Sequence, residues 1–314
     1  MKKIIGMGNC LVDVLVKLAD NKALNDLNLP AGSMQLINIK DNEKIELYLK
    51  DTEKRRVPGG SAANTIKELA NGGVEVGFIG KIANDDNGNF FAQTLQSVGV
   101  KTLLTKGDSG EATGVANTFI TPDGQRTFAT YLGISGSLSA DNVSPEMLRG
   151  YDMLYVEGYM VQNHDLIDYV MTEAKKQGMT ICLDLASYNI VEADLDFFKH
   201  LLTDYVDIVF ANEEESHAVT DKKPHEALLE LGGLCEVAVV KLGAKGASAM
   251  KGNEVVKVPA CDVAKVVDTT GAGDYFAAGF LKAFINGEDL KTCLTKGGEL
   301  SAKVIQVVGC PILD

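Results

Sequence analysis

The stretch VVDTTGAGDYFAAGF, residues 266–280, decides how the chain is read. Its second half is an apolar helix (Phe276, Ala277, Ala278, Phe280), and glycine opens such a helix less well than Ser or Asp does. The glycines make sense if the backbone must come close to a ligand there. The first amides of a helix lack internal acceptors and carry the positive end of its dipole. Gly271, Ala272 and Gly273 are thus placed to offer N–H groups to an anion, most often phosphate. Asp274 would repel that anion unless it faces a neutral hydroxyl. A carboxylate that takes the hydroxyl's proton, beside amides that take up developing charge, suits phosphoryl transfer. The bland alternative is a helix entry with an acid favourable to the dipole, and an isolated G-x-G-D leaves both open.

Outward from this stretch, 314 residues suit one large α/β domain or two small ones. A net charge of −13 argues against nucleic acid or an anionic membrane as partner, while a small anion can still bind through local donors. The six cysteines (10, 182, 235, 261, 293 and 310) form no C-x-x-C pair and no zinc spacing. They read as small buried hydrophobes in a reducing compartment. Asn9 and Asp13 interrupt the apolar N-terminal stretch, against a signal peptide, and no window has the apolar length of a membrane span. The expectation is a cytoplasmic protein.

From about residue 150 the chain alternates apolar runs (153–156, 180–183, 206–210, 237–242) with amphipathic stretches such as HDLIDYVMTEAKKQG (164–178). Near-continuous apolar strands with helical crossovers predict a parallel sheet covered on both faces. A helix over 60–71, a strand over 76–79 and a helix over 87–98 fit the same scheme. Strands over 10–18, 33–39, 113–120 and 127–131 break it, with Pro122-Asp123-Gly124 as a turn between the last two. The expected fold is one α/β domain over 1–314, a doubly wound, mostly parallel sheet with a small β lid from insertions at about 10–40 and 112–131.

Other phosphate motifs are missing. There is no G-x-x-x-x-G-K-[ST], and Met7-Gly8-Asn9 lacks the glycines of a dinucleotide fingerprint, against an oxidoreductase. DTTGAGD (268–274) resembles the C-terminal signature of the ribokinase-like, PfkB-type carbohydrate and nucleoside kinases. VPGGSAANTIKELA (57–70) is similar to their Gly-Gly element followed by Asn, and GMGNCLVDVLV (6–16) to their first strand with a substrate-reading acid. ANEEE (211–215) fits Asn-x-x-Glu, and VVKLGAKGA (239–247) the strand before the nucleotide loop.

The resemblance implies a Rossmann-like core with a β lid, and ATP-dependent phosphorylation of a hydroxymethyl group with Mg²⁺. Asp274 is then the base, and Gly271, Ala272 and Gly273 the anion hole. Asp13, Asn9, Gly59, Gly60 and Asn64 would hold the acceptor; a buried Asp13 needs such a partner. Lys241, Gly243, Gly246 and Thr269 would border the nucleotide, with a plain strand–turn–strand as the alternative for Lys241, Gly243 and Gly246, and Arg126 would reach the transferred phosphates or simply be solvated. Asn212 and Glu215 would organise Mg²⁺ through water, in keeping with its preference for oxygen ligands and hydration. Without the resemblance they read as a helix N-terminus. A monovalent cation such as K⁺ would sit between Asp268 and Thr270 on one side and the carbonyls of Val304, Val307 and Gly309 on the other.

GMGNCLVD, GGSAANTIK and SMQLIN (33–38) are most similar to adenosine kinases, and Ser61 stands where ribokinases carry Lys. Tyr159 of EGYM can stack on a purine, worth about 1–3 kcal/mol, or can pack at the sheet end. The expected acceptor is the 5′-hydroxyl of adenosine. The alternatives are a free sugar (ribose, fructose or a ketodeoxysugar) and a non-catalytic ligand sensor on the same scaffold. Monomer and homodimer both remain open.

Overall fold

Alternation along the apolar strands builds the layers. In a computed structural model describing residues 2–107, 110–122 and 125–313, the described strands are β1 Ile4–Met7, β2 Leu11–Lys17, β3 Met34–Leu36, β4 Arg55–Gly59, β5 Val76–Ala83, β6 Lys101–Gly107, β7 Thr113–Ile120, β8 Arg126–Gly133, β9 Met153–Glu157, β10 Thr180–Asp184, β11 Ile208–Asn212, β12 Val237–Lys241, β13 Ala247–Lys251 and β14 Glu254–Val258. Leu154, Val156, Ile181, Leu183, Val209 and Ala211 point to one face of the sheet. Met153, Tyr155, Cys182, Ile208 and Phe210 point to the other. Both sets are fully buried, as a strand's two-residue period requires when helices cover both faces.

The large sheet has nine strands in the order β14-β13-β12-β11-β10-β9-β1-β5-β6. Its pairs from β12 through to β6 are parallel; β13 and β14 join antiparallel. Helices Ser61–Asn71, Ala272–Ile285 and Leu290–Val304 pack on one face, and His164–Lys176, Leu195–Asp204 and Pro224–Leu234 on the other. The chain leaves β1 toward β5 on one side and returns to β9 on the other. The strand order therefore reverses at β1, and ligands of such sheets bind beyond the carboxyl ends at that point.

The second sheet has five strands, β3-β8-β7-β2-β4, one more than the four expected. The added strand is Arg55–Gly59, paired antiparallel with β2 so that Pro58 faces Val12. Pro58 argues against a strand in the sequence, but β4 is an edge, where a missing N–H costs no ladder bond. The sheet thus draws on residues 11–59 rather than about 10–40. The segment expected as strand 33–39 is shorter, because Asn38 accepts from the Asp41 N–H at 3.1 Å and caps helix Ile39–Tyr48. Asp123 and Gly124 of the expected turn lie outside the described residues; the strands on either side, β7 and β8, pair antiparallel. Val16, Leu24, Ile45 and Phe119 form this layer's own core. All six cysteines are free thiols, and all but Cys261 are buried.

Candidate active site

Four neighbouring parallel strands end on polar residues that open into one cleft. Glu157 ends β9, Asp184 ends β10, Asn212 ends β11 and Lys241 ends β12. The cleft has a volume of about 1280 Å³, more than a single small ligand needs. One end is walled by the small sheet through Asp13, Met34, Leu36 and Phe128. The other is lined by Gly243, Gly246, Pro259 and Leu294.

Between the two ends lies the glycine–acid helix start. Gly271 takes a left-handed conformation (φ 74°) just before helix Ala272–Ile285. The Ala272 N–H donates to the Thr269 carbonyl at 3.2 Å, so one of the three expected anion donors is used in a turn. The Gly271 and Gly273 N–H groups have no protein acceptor among the described residues. Bare glycine at 273 leaves room for the Lys241 ammonium, 3.0 Å from where a methyl group would stand.

Asp274 is half-buried on the cleft floor. Its Oδ1 accepts from Ser61 Oγ at 2.7 Å and its Oδ2 from Asn64 Nδ2 at 2.9 Å. Burial pushes its carboxyl up to about 6, against the two hydrogen bonds, which favour the ion. Asp13 is buried on β2, and burial pushes it up to about 7. Gly59 does not line the cleft. It makes room for Asp13, whose carboxylate occupies the space a side chain at 59 would need. Gly60 and Asn64 do line it. Asn9 lines it too, but its N–H and its Nδ2 both donate to Glu157 Oε1 at 2.9 Å, and its Oδ1 accepts from Ser135. Tyr159 borders the cleft and donates from its hydroxyl to the Ala186 carbonyl at 3.4 Å.

Lys241 pairs with Asp184 at 2.8 Å. Burial opposes its charge, but Asp184 and Glu215 outweigh that and hold its pKa above the ordinary value. Thr269 lines the same stretch of wall as the glycine–acid segment. Asn212 and Glu215 form a reciprocal cap. The Asn212 N–H donates to Glu215 Oε2 at 2.7 Å, its Nδ2 to Oε1 at 2.8 Å, and the Glu215 N–H returns to Asn212 Oδ1 at 2.8 Å. Both residues face the cleft. Among the described residues no three His, Cys, Asp or Glu side chains converge as a metal site. The donor set fits Mg²⁺ only if phosphates and water supply most of its ligands.

The residues expected around a monovalent cation are arranged differently. Asp268 has a fully buried carboxylate that accepts from the Thr270 N–H at 2.9 Å and the Gly309 N–H at 2.6 Å, and pairs with Arg126 at 2.6 Å. Arg126 also donates to Thr270 Oγ1 at 3.3 Å. A guanidinium thus neutralises the carboxylate that was expected beside the cation, and Arg126 is tied down rather than solvated. The Val304 carbonyl accepts from the Val307 N–H at 3.1 Å, and Gly309 approaches by its N–H, not its carbonyl. None of Asp268, Val304, Val307 or Gly309 lines the cleft.

Three residues around the site were not singled out in the sequence, and a fourth, Ser61, was read only as standing where ribokinases carry Lys. Asp184 and Glu157 are acids at the ends of apolar strands, TICLD and MLYVE. Their signal is the one that exposed Asp13: a charge in an apolar run needs a partner. Ser61 meets Asp274 only through the fold. Lys67 follows Asn64 by one helical turn and is buried.

A family model for pfkB family carbohydrate kinases matches residues 29–313. A crystal structure of a probable sugar kinase from Rhizobium etli CFN 42 superposes with a TM-score of 0.90 at 30% identity, over 100% of this chain and 96% of that one. The adenosine kinase of Sinorhizobium meliloti does so with a TM-score of 0.89 at 30% identity and the same coverage. The adenosine kinase of Saccharomyces cerevisiae is 25% identical over 98% of this chain and 95% of its own length.

Proposed function

The chain belongs to the pfkB family of carbohydrate kinases, and from that premise we propose that it transfers the γ-phosphoryl group of ATP to the 5′-hydroxyl of a nucleoside, adenosine first. The observation that carries this reading is the position of Asp274. It sits at a helix start with two N–H groups that have no protein acceptor among the described residues, and it lines a cleft of about 1280 Å³, more than one small ligand fills. The similarity to adenosine kinases favours a nucleoside acceptor.

The acceptor lies under the small sheet. Asp13 and Asn64 bond its ribose hydroxyls, and Tyr159 lies against its base. Asp274 Oδ takes the 5′-hydroxyl proton as the oxygen–phosphorus bond forms and the bond to the ADP oxygen breaks. The Gly271 and Gly273 N–H groups and the Lys241 ammonium face the phosphoryl oxygens, where negative charge shifts during transfer. Gly243 and Gly246 border the donor nucleotide. Asn212 and Glu215 would hold Mg²⁺ through water; when bound, the ion offsets phosphate charge. Ser61 and Asn64 keep the carboxylate oriented before either ligand arrives.

A free-sugar kinase is the second reading, favoured by equal likeness to the probable sugar kinase of Rhizobium etli. The test is a panel of adenosine, inosine, ribose, fructose and 5-dehydro-2-deoxygluconate with ATP and Mg²⁺, with products read by chromatography. Adenosine should give AMP with the highest kcat/KM. A tenfold preference for any free sugar would overturn the nucleoside reading, and no transfer to any acceptor would favour a sensor.

A further inference from the structure

Helix Ser61–Asn71 carries a charge that the transfer step does not use. Lys67 is 1% exposed. Its Nζ donates to the Cys310 carbonyl at 2.5 Å and to Asn64 Oδ1 at 3.3 Å. The same Asn64 donates from Nδ2 to Asp274 Oδ2 at 2.9 Å. Lysine is almost never this buried without a partner, and its surroundings must supply the reason.

An ammonium can only donate, so the end of the Asn64 amide that faces Lys67 must be its oxygen. The NH₂ end is then left for Asp274. Turned the other way, Asn64 would bring an acceptor to the carboxylate and favour its protonated form. Lys67 also faces Asp13. Burial drives that carboxyl up, and Lys67 is foremost among the charges that oppose the rise.

We propose that Lys67 is a positioning residue for the transfer reaction. It locks the Asn64 amide toward Asp274 and supplies buried positive charge to Asp13 first and to Asp274 second, where Lys241 is the other cation. The proposal rests on Asp274 being the base. Lys67 acts through these neighbours and does not line the cleft. The groups facing it are Asp13 on β2, Asn64 and Glu68 on its own helix, Asp274 and the Tyr275 ring on helix Ala272–Ile285, and Cys310 beyond the last helix. Arg126 on β8 and Asp268 act on Asp13 with opposite signs.

One test needs no substrate. An acid whose pKa is raised on folding holds its proton more tightly in the native state. Its contribution to stability is greatest near the ordinary carboxylate range and is lost as pH rises toward its folded pKa. Removing Lys67 raises Asp13 and Asp274 further, so that loss should deepen. The melting temperature of the ligand-free chain is measured at pH 5.5 and pH 8 for wild type, Lys67→Met, Lys67→Gln and Lys67→Arg. Lys67→Met should lose several degrees more at pH 8 than at pH 5.5, while Lys67→Arg keeps the wild-type slope. Equal losses at both pH values would mean packing alone and overturn the proposal. If Lys67→Met fails to fold, Lys67→Gln, neutral but still a donor, carries the same comparison.

The second test is kinetic, with ATP, Mg²⁺ and adenosine. The acid limb of kcat/KM should move up by about one pH unit in the neutral variants, a loss of about fivefold at pH 6 that approaches about tenfold at pH 5, and return with Lys67→Arg. An unmoved limb would overturn the proposal. Asp274→Asn is run alongside. Full turnover in that variant would defeat the base reading, leaving the melting data to judge Lys67 through Asp13.

Discussion

Ser61 and Asp274, 213 residues apart in the chain, are joined by a 2.7 Å hydrogen bond from the serine hydroxyl to the carboxylate. Each residue lies at the start of its helix, Ser61–Asn71 and Ala272–Ile285. The positive ends of two helix dipoles therefore converge on one acid. The dipoles and hydrogen bonds favour the ion while burial disfavours it, and Asp274 is left at about 6, close to a useful working range for a base.

Asp274→Asn should lower turnover by about 10²- to 10⁴-fold while ATP affinity stays within about twofold. Coupled ADP release and calorimetric titration read the two quantities. In the wild type the base must be ionised, so kcat/KM should climb as pH rises through about 6 and level off above it. Wild-type turnover in the Asn variant would remove Asp274 from this role.

Arg126→Met strands the buried carboxylate of Asp268 with its two N–H donors and no cation. Removing one partner of a buried pair costs about 3–5 kcal/mol, which urea unfolding at neutral pH can measure. The same pairing leads us to expect similar turnover in potassium and tetramethylammonium buffers. A turnover that collapses without K⁺ would show that the cation does not depend on this carboxylate.

Gly271→Ala meets two obstacles. The backbone is left-handed there, at φ 74°, and the added methyl would run into Cys310 Sγ. We expect a loss of about 1–3 kcal/mol in stability and, on the proposed role of the Gly271 amide at the transferred phosphate, a drop in kcat larger than any rise in the KM for adenosine. Unchanged kcat with lowered stability would confine Gly271 to a structural role.

Asn212→Ala separates the two roles of the Asn212–Glu215 pair. Loss of the cap should cost about 1 kcal/mol whether or not Mg²⁺ is used. If the pair also orders the metal's water, the Mg²⁺ concentration for half-maximal rate should rise severalfold. A stability loss with no change in Mg²⁺ requirement would leave only the cap.

The parallel sheet was legible because buried strands must be apolar along their interiors, and β9 to β12 are, up to the polar residue that ends each. The glycine–acid segment was legible because glycine is an odd helix opener. β4 was not, since Pro58 speaks against a strand unless its place at the edge is known. Nor were the partners of Asp268. A carboxylate beside Thr-Thr-Gly can serve a metal, an amide or a guanidinium, and only the fold brings Arg126, 142 positions earlier in the sequence, to it. Lys67 was hidden for the opposite reason: lysine on a helix is ordinarily solvated, and nothing in its immediate neighbours says that this one points inward.

Strand β4 runs through Gly60, at φ 88°, straight into the helix that bears Ser61, Asn64 and Lys67. No slack separates them. A tilt of the small sheet is therefore delivered as torque at a single peptide unit to the residues that grip Asp274. On the proposed reading, covering the acceptor and aiming the base would be one mechanical event.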